Sequence, residues 1–107
     1  MPRAEGRLIP AELELKLLAA LCSPMVDGDT RTKILDRLAT YRFANPDHEA
    51  IFRALNQMPA ASAEHIRETL GARVTRLGFP DIDVQSIFAI EPPSTDEIQT
   101  LLSRLEP

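Results

Sequence analysis

Thiol, imidazole, hydroxyl and carboxylate groups are the side chains of this sequence that could do chemistry, and their spacing decides whether they do. Cys22, His48 and His65 are scattered along the chain, whereas a structural zinc site needs clustered thiolate or imidazole ligands. No metal site is expected. Asp27 and Asp29 open like a calcium loop, but such a loop needs glycine at its sixth position and glutamate at its twelfth. Those positions hold Thr32 and Leu38. Helix N-capping explains the two acids better. Gly6, Gly28, Gly71 and Gly78 do not precede a lysine, so the loop that cradles phosphates is missing. Ser23, Ser62, Ser94 and Ser103 lack the glycine-flanked setting of a nucleophile. Glu12 and Glu14, two apart, should point to different sides of a helix. His48 beside Glu49 could suggest acid–base work. Its simpler reading is a packed imidazole on the apolar face of a helix, one turn before Phe52. His65 lies among Glu64, Arg67 and Glu68 and reads as solvated. No catalytic set and no cofactor site emerges, and the chain is expected not to be an enzyme.

The elements that must position these groups read as helices. Residues 1–9 read as an arm, and 10–107 as a single helical domain. Pro10 suits a first turn, where its missing N–H is not needed. Leu13, Leu17, Leu18 and Leu21 then recur at helical spacing, and Leu15 falls off that stripe, so this helix can be apolar on more than one side. Ser23-Pro24 ends it. A second helix is predicted from about Thr30 to Thr40, burying Ile34, Leu35 and Leu38. Asn45-Pro46-Asp47 restarts the chain with a cap, a first-turn proline and an acid at the positive end of the helix dipole. The third helix, Pro46 to Gln57, should bury Ile51, Phe52 and Leu55 with His48. Ser62 caps a fourth helix, which Gly71 is placed to end, although Val74 and Leu77 extend its face. Gly78-Phe79-Pro80 is a firm break. Val84 to Ile90 fits one or two helical turns, with a strand as the alternative. Ser94-Thr95-Asp96-Glu97 is a capping box ahead of a last helix with Ile98, Leu101, Leu102 and Leu105. The fold class is all-α, a compact bundle of about five to six short helices.

Composition agrees with a globular domain. The chain has 107 residues, 44% of them hydrophobic and 26% charged, near the globular average. With no Trp and one Tyr, the core must be aliphatic. Sixteen acids against twelve bases give a net charge of −4. A surface that neutralises phosphates needs Lys and Arg, so direct nucleic-acid contact is disfavoured. A single cysteine excludes an internal disulfide and, in its apolar setting, reads as a buried inert thiol. No apolar run reaches the roughly 18 residues of a membrane span, and the N-terminus lacks a signal peptide's apolar core. Cytoplasm is the expected location.

One stretch carries a family resemblance. Tyr41 to Leu55 resembles the "F-x-x-x-x-H-x-x-I-F-x-A-I/L" signature in the N-terminal domain of DnaB-type replicative helicases, through Phe43, His48, Ile51, Phe52, Ala54 and Leu55. The order of elements agrees too: a Glu- and Leu-rich first helix (Glu12 to Leu21), a helix from His65 to Leu70, a short apolar segment before a proline turn (Ile87 to Ser94) and a closing helix. The resemblance spans about residues 10 to 105. Glu14, Leu17, Leu18 and Leu21 are equally similar to the opening "E-x-x-L-L-x-x-L" of the helicase-binding C-terminal domain of bacterial primase. These are packing residues, so they imply a DnaB N-terminal-domain-like fold more than an activity. The family's motor domain and its phosphate loop are absent from this sequence. What the resemblance implies is docking and assembly in DNA replication: partners would be primase, a helicase loader or a helicase motor domain, with a homo-dimer or higher oligomer possible.

Leu8, Ile9, Leu15 and Met25 are the partner-binding candidates, because the core stripes do not require them. A small helix-turn-helix DNA-binding regulator is the other class of function, and Arg67, Arg73 and Arg76 are the only approach to its basic recognition helix. On the docking reading, Leu15→Asp should keep the helical circular-dichroism spectrum and abolish self-association in light scattering. An unfolded variant would place Leu15 inside the core.

Overall fold

Four of the helices in the chain start where a side chain accepts from a free N–H group of the first turn. In the computed structural model, residues 10–58 and 62–105 are described. They form six helices in the order α1 (Pro10–Leu21), α2 (Gly28–Ala39), α3 (Pro46–Asn56), α4 (Ala63–Arg76), α5 (Gln85–Phe88) and α6 (Thr95–Ser103). No strand occurs among the described residues. The expected arm, and with it Leu8 and Ile9, lies outside them.

The caps are chemical. Asp27 accepts from the Thr30 N–H at 3.1 Å, so α2 begins two residues earlier than the expected Thr30. Hydrogen bonding to Thr30, its side chain first and then this N–H, holds the Asp27 carboxyl below its ordinary pKa. Asn45 accepts from the Asp47 N–H at 2.8 Å with Pro46 behind it. Ser62 and Ser94 cap α4 and α6 through the N–H groups of His65 and Glu97. Only half of the expected capping box forms at α6. The Glu97 carboxylate reaches across to Lys16 of α1 at 3.1 Å instead of turning back to Ser94.

Gly71 does not end α4. The helix runs through it to Arg76, and the terminating glycine is Gly78, the residue with positive φ (+101°). Its N–H donates to the Thr75 carbonyl and the Phe79 N–H to the Val74 carbonyl, the paired bonds of a Schellman ending. The segment after it resolves in favour of helix, as the single turn α5.

α1 is the central element. It packs against α2, α3, α5 and α6, and Leu13, Leu17, Leu18, Ala19, Ala20 and Leu21 are all buried. A helix that is apolar nearly all round belongs inside a protein. α3 and α4 pair beside it. The predicted stripes Ile34, Leu35, Leu38 and Ile98, Leu101, Leu102, Leu105 all face this core. Arg37 of α2 donates to the Leu102 carbonyl at 2.8 Å and so closes the C-terminal end of α6. A radius of gyration of 13.3 Å is that of one compact unit of this length.

The two glycines make a paired prediction. A Cβ at Gly71 would meet Val84 Cγ2 at an ordinary 3.6 Å. Gly71→Ala should therefore raise stability by about 0.5–1 kcal/mol, the usual gain of Ala over Gly inside a helix. Gly78→Ala should lower it by about 1–2 kcal/mol through its left-handed backbone. Opposite shifts of the melting temperature check this; shifts of the same sign refute it.

Candidate functional site

The polar centre of the molecule is Glu14, and it sits on the central helix. Its position follows from the stripe itself: Glu14, Leu17, Leu18 and Leu21 are spaced i, i+3, i+4, i+7, so the carboxylate points into the core with the leucines. It is 0% exposed. Four groups meet it, all from the loop between α2 and α3 or the first turn of α3. The Tyr41 hydroxyl donates to Oε2 at 2.7 Å and the Ala44 N–H to the same oxygen at 2.6 Å. The Asn45 N–H donates to Oε1 at 3.3 Å, and His48 Nδ1 lies 2.9 Å from Oε1. A carboxylate only accepts, and backbone N–H groups only donate. The four contacts are mutually consistent when His48 donates from Nδ1. Burial first, then the hydrogen bond to Glu14 and its charge, push the Tyr41 hydroxyl above the usual tyrosine pKa. It therefore stays a donor.

The signature stretch packs around this hub. Phe43 lies edge-on to Tyr41, with ring centroids 5.1 Å apart, and tilted against Phe52 at 5.5 Å. Such aromatic pairs each contribute about 0.5–1.5 kcal/mol beyond burial. His48, Ile51, Phe52, Ala54 and Leu55 are buried, and Phe43 is half-buried against the core. His48 is thus a packed imidazole, as the sequence suggested, but its partner is Glu14 and not the adjacent, exposed Glu49. Sequence reasoning missed Glu14 and Tyr41. The available signal was an acid occupying a core position of a leucine stripe.

Chemically, this cluster is closed. Both oxygens of Glu14 are engaged, and the imidazole is 8% exposed. The arrangement holds a loop in place. Among the described residues no three His, Cys, Asp or Glu side chains are placed to share a metal ion, and no helix is long and apolar enough to cross a membrane.

The outer face of the bundle differs. Where α1 ends, Cys22 and Pro24 border a groove of about 270 Å³ with Phe88, Ile90 and Pro92 on the other side and Arg67 at its lip. The Arg67 guanidinium lies over the Phe88 ring, 5.1 Å from its centroid. Burial pushes the Cys22 thiol from 9.0 to about 12 against the lowering effect of Arg31 and Arg67, so it is the inert thiol expected. Beside the groove, Met25 is 84% exposed, the one large hydrophobic side chain so exposed among the described residues. Leu15, by contrast, is half-buried and packs against the core, so Leu15→Asp carries a stability penalty as well. Of the arginines a DNA reader would need, Arg67 is stacked on Phe88 and Arg73 donates to Gln57 at 3.3 Å.

The chain matches no protein-family model, no curated protein and no solved structure. The molecule's own geometry must therefore carry any functional conclusion.

Replacing Glu14 tests the hub. Glu14→Leu would bury the Tyr41 hydroxyl, two N–H groups and the His48 Nδ1 without an acceptor. It should cost about 3–5 kcal/mol, the usual penalty for removing one partner of a buried pair. Tyr41→Phe removes a single hydrogen bond and should cost about 1 kcal/mol. Urea unfolding of both variants checks the order, and a Glu14→Leu protein as stable as Tyr41→Phe would remove Glu14 from its central place.

Proposed function

We propose that the chain is a non-catalytic protein-docking domain of the kind found at the N-terminus of DnaB-type replicative helicases. One observation carries this reading. The residues of the helicase-like signature, Phe43, His48, Ile51, Phe52, Ala54 and Leu55, gather into one packed unit closed by Glu14. The most reactive-looking groups of the chain are thereby used to hold a bundle together. What the described surface offers a partner is apolar: the exposed Met25 and the groove next to it. The partners that fit the reading are those of the resemblance, namely primase, a helicase loader, a helicase motor domain or a second copy of the chain.

A second reading has its own support. Glu14, Leu17, Leu18 and Leu21, the residues similar to the helicase-binding domain of primase, are all fully or almost fully buried. The two signatures meet at the contact between Glu14 and His48. Both readings describe one activity, docking within a replication assembly, from opposite sides of the same interface. The helix-turn-helix alternative finds little support, since α4 alternates its arginines with Glu64 and Glu68 and uses Arg67 and Arg73 internally.

Isothermal titration separates these readings. The chain should bind one of three purified proteins with saturable, micromolar affinity: a DnaB-type helicase stripped of its own N-terminal domain, a bacterial primase, or a helicase loader. Binding to the stripped helicase, the primase or the loader favours the helicase-side reading, and binding to an intact helicase hexamer, titrated as a fourth protein, favours the primase-side one. Heat from none of these, together with a salt-dependent shift of duplex DNA, would overturn the proposal.

A further inference from the structure

The groove between the end of α1 and the α5 turn has features beyond an unfilled seam, and assigning it an occupant rests on the docking function proposed for the chain. Its size is informative. Its enclosed part holds about 50 Å³, far below the roughly 300–1,000 Å³ of pockets that enclose a small-molecule ligand. That is room for a few non-hydrogen atoms, about one leucine-sized side chain. Its lining is mostly apolar, with Ser23, the Cys22 thiol and Arg67 as the polar exceptions. That guanidinium lies on Phe88, a contact that uses the face of the cation and leaves its in-plane N–H donors free to point outward. No carboxylate among the described residues pairs with it within 4 Å. In a chain of net charge −4, this is a positioned cation beside an apolar slot.

We infer that the groove receives an amphipathic helix of a partner protein, one large apolar side chain entering between Pro24, Phe88 and Ile90 and an Asp or Glu one turn away pairing with Arg67. Charge complementarity selects the acid. A helix presents both groups on one face at a spacing of three or four residues. Met25 extends the apolar rim that such a helix would cover. Long-range repulsion from the acidic surface is screened beyond about 10 Å at 0.1 M salt, while a charge-assisted contact to Arg67 acts at short range.

The probe is a random 16-residue peptide library displayed on phage and panned on the full chain. Enriched peptides should share a large apolar residue with Asp or Glu three or four positions away. As labelled synthetic peptides, they should bind at least tenfold more weakly to Arg67→Glu in fluorescence anisotropy, and an acid-to-arginine change in the peptide should recover much of that loss. Circular dichroism and the melting temperature of Arg67→Glu establish that the variant is folded. Should that variant unfold, the same acid-to-arginine peptides against the unaltered chain give the readout, and an unchanged affinity overturns the inference. No enriched motif, or binding indifferent to Arg67→Glu, also overturns it. A dimer of the free chain in sedimentation that Arg67→Glu dissociates would assign the groove to a second copy and overturn the heterologous helix. Binding of a replication protein that survives Arg67→Glu would end the groove assignment and leave the docking function standing.

Discussion

A buried carboxylate without partners is too costly to keep, and Glu14 lies at the centre of the central helix with none of its surface exposed. Its charge must be met inside the protein. That requirement is satisfied by a single stretch, the loop after α2 and the start of α3. Four donors from Tyr41, Ala44, Asn45 and His48 converge on two oxygens. Because two of the donors are backbone N–H groups, the demand reaches the path of the chain and not only its side chains. Once the Asn45 N–H is anchored, the Asn45 side chain is in place to cap α3. With α3 started there, His48 and Phe52 fall on the face turned to α1. Removing the acid would therefore disturb more than one bond. It would unfasten the register between the two halves of the bundle.

Local physics was legible in the sequence because its signals are short. Asp27, Asn45, Ser62 and Ser94 announce their helices within three residues, and each does cap one. The leucine and isoleucine stripes named their own buried faces. Glu14 was not legible in the same way. Its partners are 27 to 34 residues away, and helical period alone says only that it shares a face with Leu17, Leu18 and Leu21. Nor does period separate Gly71 from Gly78. Both follow an apolar stretch, and only Gly78 has the positive φ that makes glycine necessary. At Gly71 the core packing of its buried neighbours Leu70 and Val74 outweighs the local weakness of glycine, and the helix continues. The groove was harder still. Cys22, Arg67 and Phe88 come from three distant segments, and neither charge nor hydropathy pattern places them side by side.

The central position of α1 also limits where function can lie. A helix buried on almost every side contributes its side chains to the interior, so the molecule's outward-facing chemistry must come from its turns and from the outer faces of α2 to α6. Two of the arginines that could act there are already employed. Arg37 closes α6 and Arg73 holds Gln57. Arg67 is different, since its contact is with a ring and not with an acceptor. The cation is positioned without being neutralised.

The wall that carries this cation's ring is the least self-supporting part of the fold. α5 is a single turn with no side-chain cap, and a helix of that length cannot stand by its own hydrogen bonds. It is held by Val84 and Ile87, which are buried against the core. Phe88 and Ile90 remain half-buried, in contact with the core on one side and with the groove on the other. The turn is also tied locally, Asp83 accepting from the Gln85 N–H at 3.1 Å and from the Ser86 hydroxyl at 2.9 Å. The cluster at Glu14 is built differently, with both carboxylate oxygens engaged by four donors. The fold thus spends its buried polar group on holding the α2–α3 loop and keeps an apolar groove at its surface.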